Sequence, residues 1–289
     1  MKQCFARLGS IIAVIPLFAL PAVGQADWTF TTVDFPGSTD TFARDINNRG
    51  EVIGGYALGG VQHGFQLARG EYTTIDFPGA VATTPSGINS RGVIVGFYIS
   101  AGVEHGFLLS HGTFTTIDIP ESTSTAALGI NDRDEIVGRY DSGGVTRGFH
   151  LGAVRRGLQL TSVLTTLVFP GSTATAARHL NLHEVIVGRY TLGGVTHGFV
   201  LNRGTYSTVD PPGSTFTFVN GVTERGELVG YYTAGGTEHG FVLSDGSFTT
   251  LDFPGATSTQ ASRMNNRGQV SCSYTLGGVV HGCIAEAVK

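Results

Sequence analysis

The chain is poor in charge. Only 14% of its 289 residues are Asp, Glu, Lys or Arg, and lysine occurs only at Lys2 and Lys289. That scarcity excludes a coiled coil, which is built largely from Ala, Glu, Lys and Leu. A formal net charge of −4 argues against a nucleic-acid partner, which calls for a surplus of Lys and Arg. Tryptophan occurs once, at Trp28, so a platform of stacked indoles for sugars is missing. Cysteine is confined to Cys4, Cys272 and Cys283, and the 10 prolines are too few for collagen. Hydrophobic residues, at 41%, are too many for a disordered chain. What the chain has in excess is glycine, 43 residues, about twice ordinary usage. Together these point to a turn-rich, all-β globular protein.

The first 26 residues read as a secretory signal peptide. Lys2 and Arg7 give a positive start, residues 11–23 are apolar, and Gly24-Gln25-Ala26 is a small-x-small cleavage site. The apolar run is short for a membrane span, and no second one follows. Removal after Ala26 takes away Lys2 and Arg7 but no acidic residue, which leaves a domain of residues 27–289 with net charge −6. The expectation is a secreted or periplasmic protein in a compartment where disulfides persist.

The rest is a repeat array. The marker Asp-Phe-Pro-Gly, or a variant, begins at Asp34, Asp76, Asp118, Val168, Asp210 and Asp252, at spacings of 42, 42, 50, 42 and 42. The long step holds an insertion, Gly152–Gln159. One unit, Asp76–Ile117, contains four short strand signals, around Gly87–Asn89, Val93–Tyr98, His105–Leu108 and Phe114–Asp118. Four strands in about 42 residues is the period of a propeller blade. The chain begins with a lone outer strand, Trp28–Asp34, and ends with an inner three that lack one, Met264–Ala287. The expected fold is therefore a six-bladed β-propeller of four-stranded blades, closed by the N-terminal outer strand.

Gly pairs such as Gly59-Gly60 and Gly193-Gly194 suit two-residue hairpin turns. Centring the hairpins on them sets Tyr56 opposite His63, Tyr98 opposite His105, Tyr190 opposite His197 and Tyr232 opposite His239. Two positions on, Gly54 faces Phe65 and Gly96 faces Phe107, a strand glycine covered by an aromatic. In the last unit Cys272 and Cys283 take these places, which makes them a disulfide candidate.

The recurring Ile-Asn-x-Arg-Gly-x-Ile-Val-Gly-x-Tyr followed by His-Gly-Phe resembles the extracellular repeats of the HAF family, named for a His-Ala-Phe tripeptide. Ile46–Tyr56 with His63–Phe65, and Ile130–Tyr140 with Arg147–Phe149, are examples, and the likeness covers nearly all of Trp28–Ala287. Here the middle residue of the tripeptide is always Gly, and Leu often follows the Phe. The resemblance implies an exported repeat protein. The family has no agreed biochemical activity, so no catalytic residue is carried over.

His63, His105, His197, His239 and His281 invite a metal reading, because imidazole is a common ligand. Their once-per-blade spacing and their Tyr partners favour packing instead, and no cofactor or metal is expected. The recurring Asp of the marker reads as a turn residue that bonds backbone N–H groups. No calcium loop, zincin helix, phosphate loop or nucleophile elbow is present. Function is better sought where the repeats disagree, in the two residues before each Ile-Asn. These positions are expected at the start of the innermost strand, beside the channel mouth. Arg44, Asp45, Arg178, His179, Asn220 and Arg263 stand there. Their guanidiniums suit a small anionic ligand, and the competing reading is a solvated rim whose charges pair with one another. Arg155 and Arg156 in the insertion form a second candidate.

The leading functional reading is a secreted, non-catalytic binding or scaffolding module. Its ligand would be a small anion, an extracellular protein or a polysaccharide. The alternative is a propeller hydrolase or lyase, lactonase- or glycosidase-like, with its site at the channel mouth. Asp45 and His179, in opposite blades, are the only acid–base pair on offer there. A third reading is a structural or adhesive protein. The chain is expected to be monomeric, with no membrane span.

Overall fold

The computed structural model describes residues 23–25, 27–156 and 159–288. Six four-stranded antiparallel sheets stand around an axis as a six-bladed β-propeller. The inner strands of blades one to six are Asp40–Ile46, Ala82–Ile88, Ser124–Ile130, Ala174–Leu180, Phe216–Val222 and Ser258–Met264. Blades one to five each finish on their own outer strand. Blade six, whose third strand is Val279–Ala287, is completed by Trp28–Val33 from the N-terminal end. Most of the expected leader lies outside the described residues. Val23–Gln25 runs parallel to the outer strand of blade five, Ser247–Leu251. No helix among the described residues is long and apolar enough to cross a membrane.

The hairpin register follows the glycine pairs. Tyr56 faces His63, Tyr98 faces His105, Tyr190 faces His197 and Tyr232 faces His239. Gly59 and Gly60 both have positive φ, 59° and 80°, as a type I′ turn requires. Gly96 lies under Phe107, where an added Cβ would come within 2.8 Å of the ring. The five phenylalanines in this position, Phe65, Phe107, Phe149, Phe199 and Phe241, are fully buried. In blade six Cys272 and Cys283 face each other with Cα atoms 4.8 Å apart and are joined as a disulfide. That separation is shorter than the 5.5 Å of an ordinary hydrogen-bonded pair and within disulfide range.

Two expectations change. The first strand of each unit is not centred on Gly87–Asn89 but spans Ala82–Ile88, and its early part occupies what reads as a polar loop. Its residues are small because six strands crowd the axis. Its Thr is no loop residue either. Thr83 is buried, and its hydroxyl accepts from the Phe77 N–H at 2.9 Å, anchoring the Pro-Gly turn. The insertion is not a free loop. It lengthens a hairpin of blade three, Val145–Arg156 with Gln159–Leu167.

The marker dipeptide joins neighbouring blades. Asp76 accepts a 2.8 Å bond from His63 of the blade before it, while Phe77 stacks on Tyr98 of the blade after it, centroids 3.6 Å apart. Asp118, Asp210, Asp252 and Asp34 pair likewise with His105, His197, His239 and His281. The aspartates are thus hydrogen-bond partners of the histidines, and Asp210 also accepts the Gly198 N–H at 3.3 Å. In blade three both members are absent together, Arg147 standing for His and Val168 for Asp. The core is correspondingly split into six clusters packed mainly between adjacent blades. One joins Ile53 and Ile75 to Ile88, Ile94, Tyr98 and Phe107.

Candidate functional site

The variable residues sit near the end of each inner strand, not at its start. Each strand carries a β-bulge there, between Ala43 and Asp45 in blade one and between Ala177 and His179 in blade four. The extra residue of a bulge is left out of the ladder and re-aims its side chain. The bulged residues are Arg44, Ser86, Leu128, Arg178, Asn220 and Ser262. Next to them stand Asp45, Gly87, Gly129, His179, Gly221 and Arg263. Three of these places hold glycine, and at Gly129 the next strand nearly touches it. A Cβ on Gly129 would meet the Arg178 carbonyl oxygen at 2.6 Å.

The six candidates divide into two groups. Arg263, only 3% exposed, reaches across the axis. It donates to the carbonyls of Asn220, Arg178 (2.6 Å) and Leu128 (3.1 Å) in blades five, four and three. Its Nε lies 3.8 Å from Asp45 in blade one. Asp45 accepts from the N–H groups of Ile46 (2.7 Å) and, in blade two, Ile88 (3.0 Å). This one ion pair therefore touches all six blades. Burial pulls the Arg263 guanidinium down to about 10 against the opposing pull of Asp45. Burial also raises the Asp45 carboxyl, while Arg263 and the two N–H groups lower it.

His179 accepts the Val222 N–H at Nδ1, 3.3 Å, which ties blade four to blade five. Burial, helped by the charge of Arg263, pushes its pKa well below the usual range, so the ring is neutral. Asn220 donates to the Ala261 carbonyl at 2.9 Å. Although Asp45 and His179 belong to opposite blades, both line one mouth of the channel with Arg263, around a cavity of about 70 Å³. A belt of asparagines rims this mouth. Asn47, Asn89, Asn131 and Asn181 each donate to a backbone carbonyl in the next blade, and Asn265 donates to that of Asn47, while Thr223 of blade five turns to Glu227 of its own blade and interrupts the belt.

Arg44 and Arg178 behave differently. Among the described residues, the Nε of each is shielded from solvent without a hydrogen-bond partner, as is that of Arg263, but unlike Arg263 neither makes an ion pair with a carboxylate. The Arg178 and Arg189 guanidiniums lie over one ring, Phe218, at 5.0 and 4.4 Å. Phe218 stacks on Tyr231, its cross-strand partner, with centroids 5.3 Å apart. Burial, then the charges of Arg263, Arg44 and Arg189, drives the Arg178 pKa well below its ordinary value. Burial raises that of Tyr231. Arg189, Phe218 and Tyr231 are absent from the sequence-based candidates. Arg189 and Tyr231 fill the variable place in Val-Gly-x-Tyr, and the rule that found Arg44 would have found them there.

Among the described residues, no three His, Cys, Asp or Glu side chains gather where a metal could be held. The five recurring histidines hold aspartates instead.

No protein-family model matches the chain, and no curated protein sequence matches it. Solved structures do. A catalytically inactive virginiamycin B lyase from Staphylococcus aureus with quinupristin is 10% identical, with a TM-score of 0.53, over 91% of this chain and 100% of that one. A streptogramin B lyase is 12% identical at a TM-score of 0.50, over 89% and 97%. A Trypanosoma rangeli sialidase is 6% identical at 0.50, over 92% of this chain and 59% of that one. At such identities what this chain shares with them is the propeller fold.

Proposed function

We propose that this is an exported, non-catalytic binding propeller of the HAF repeat type whose ligand sits in the central channel. One observation carries the reading. The channel residues suited to acid–base chemistry, Asp45 and His179, are engaged in holding blades together, while the Nε groups of Arg44 and Arg178 have no partner among the described residues. General acid–base catalysis needs a group free to exchange its proton with a substrate. Recognition needs fixed donors with unfilled hydrogen-bonding capacity, which the arginines supply. The leader-like residues 1–26 support export. The alternative of a propeller hydrolase or lyase shares its fold with the lyases above, but it would require Asp45 or His179 to leave its backbone partners.

The test uses the mature chain, residues 27–289, against sugars, sugar acids and lactones, reading melting temperature and product together. A ligand at 100 times its Kd adds about 2.7 kcal/mol and raises the melting temperature. Stabilisation with the compound recovered unchanged is the expected outcome. Turnover that disappears in His179→Gln would establish the enzyme reading instead.

A further inference from the structure

One level from the Asp45–Arg263 pair toward the starts of the inner strands, side chains from blades four and five converge around Phe218, and the charge of Arg44 in blade one acts on them. Arg44, Arg178 and Arg189 all act electrostatically on Tyr231. Arg178 and Arg189 share the Phe218 face, and Arg44 lies 5.9 Å from the Phe42 ring. Glu238 is the one carboxylate that acts on the same Tyr231 as these cations. Asp45 is engaged with Arg263, Glu104 and Asp141 lie beside Arg139, and Glu238 accepts from Gln260 at 2.7 Å. No ion pair joins Arg44, Arg178 or Arg189 to a carboxylate among the described residues. Residues 1–26 contain no Asp or Glu that could supply one.

Buried charges in proteins are ordinarily paired or bound to something. Three guanidiniums that repel one another beside a phenol hydroxyl therefore form a set of donors without its acceptor. Guanidiniums offer planar, charge-assisted pairs of N–H groups that match the oxygens of carboxylate and phosphate. Arg44, Arg178 and Arg189 each keep part of their surface accessible despite their depth, so a small ion can reach them.

We infer that Arg44, Arg178, Arg189 and Tyr231 form a binding site for a small dianionic oxyanion, a phosphate monoester or a dicarboxylate. Three cations with one carboxylate, Glu238, beside them leave a surplus of two positive charges, which selects two negative charges over one, and the Phe218 platform holds two of the guanidiniums. The inference rests on the channel reading above and narrows it to a charge class.

The test compares inorganic phosphate, succinate, acetate and chloride at one ionic strength, with an uncharged sugar alongside, by thermal unfolding and calorimetry. The proteins are the mature chain and its Arg178→Met and Arg189→Met variants. Phosphate or succinate should raise the melting temperature of the parent, and acetate and chloride should not. Which of the two acts more strongly tells phosphate from dicarboxylate. Each variant should bind about tenfold more weakly or worse, the effect of losing one charged hydrogen bond. Without ligand, the variants should melt at or above the parent temperature, because a buried cation without an acceptor has been removed.

Equal shifts from chloride, or shifts retained in both variants, would overturn the site. So would a sharp loss of unliganded stability in Arg178→Met, which would make that arginine a strut. A shift from the uncharged sugar that is lost in Tyr231→Phe, with none from any anion, would overturn the anion site and leave channel binding standing. No shift from any compound would count against both.

Discussion

Arg263 is the side chain on which the whole ring leans. Its guanidinium fills backbone carbonyls of three blades and pairs with Asp45 in a fourth. Removing one partner of such a buried pair leaves the other charged and desolvated, at about 3–5 kcal/mol. Arg263→Met should cost that much in denaturant unfolding, whereas Arg267→Met, outside this network, should cost little. His179 makes a pH-dependent contribution. Its folded pKa lies well below the unfolded value of about 6.5, so the unfolded chain takes up the proton first as pH falls. Stability from this residue is complete above that pH and falls below it by up to about 1.4 kcal/mol per pH unit. Melting temperatures from pH 7 to 5 should drop less steeply in His179→Gln than in the parent. At this scale the sequence was partly legible. The histidines were read against tyrosines and the aspartates as turn residues, although the joint absence of His and Asp from blade three, at Arg147 and Val168, was a signal of their pairing. That Arg263 would point inward and the Arg44 Nε have no hydrogen-bond partner among the described residues was not legible, because both depend on which way a bulge turns a side chain.

The elements were read more securely where glycine dictates geometry than where it does not. Gly-Gly turns fixed the central hairpin of each blade to the residue, because only φ > 0 at both positions gives that turn its twist. The inner strands were placed too late, the observed Ala82–Ile88 starting five residues before the expected Gly87. The early parts of several, such as Ser124–Ala127 and Ala174–Ala177, are Ser, Thr and Ala, which do not announce a strand. The outer strand Trp28–Val33 was legible as a strand without a sheet. It now pairs from Trp28–Ala287 to Val33–Gly282, and Trp28 Nε1 also donates to the Thr250 carbonyl of blade five at 3.0 Å. Asp34, just beyond it, supplies the carboxylate for His281. Deleting residues 27–34 should therefore abolish cooperative unfolding, as followed by circular dichroism and calorimetry together. An unchanged sharp transition would mean that blade six stands without its outer strand.

For the whole molecule, blade count followed from a 42-residue spacing and from the complementarity of the two ends, so the ring was legible before any side chain was placed. The candidate site was not. Arg44, Arg189 and Tyr231 lie far apart in sequence and meet only because six blades, rather than five or seven, set which positions face one another across the axis. The closure has a further consequence. The Val288 N–H donates to the Asp27 carbonyl at 2.9 Å, and each blade boundary but that after blade three repeats the same His–Asp joint. A short covalent link between residues 27 and 288 would turn the last third strand and the first outer strand into an ordinary hairpin. The chain could then be opened at another surface turn, so the molecule has an order of blades around its circumference but no geometrically privileged beginning.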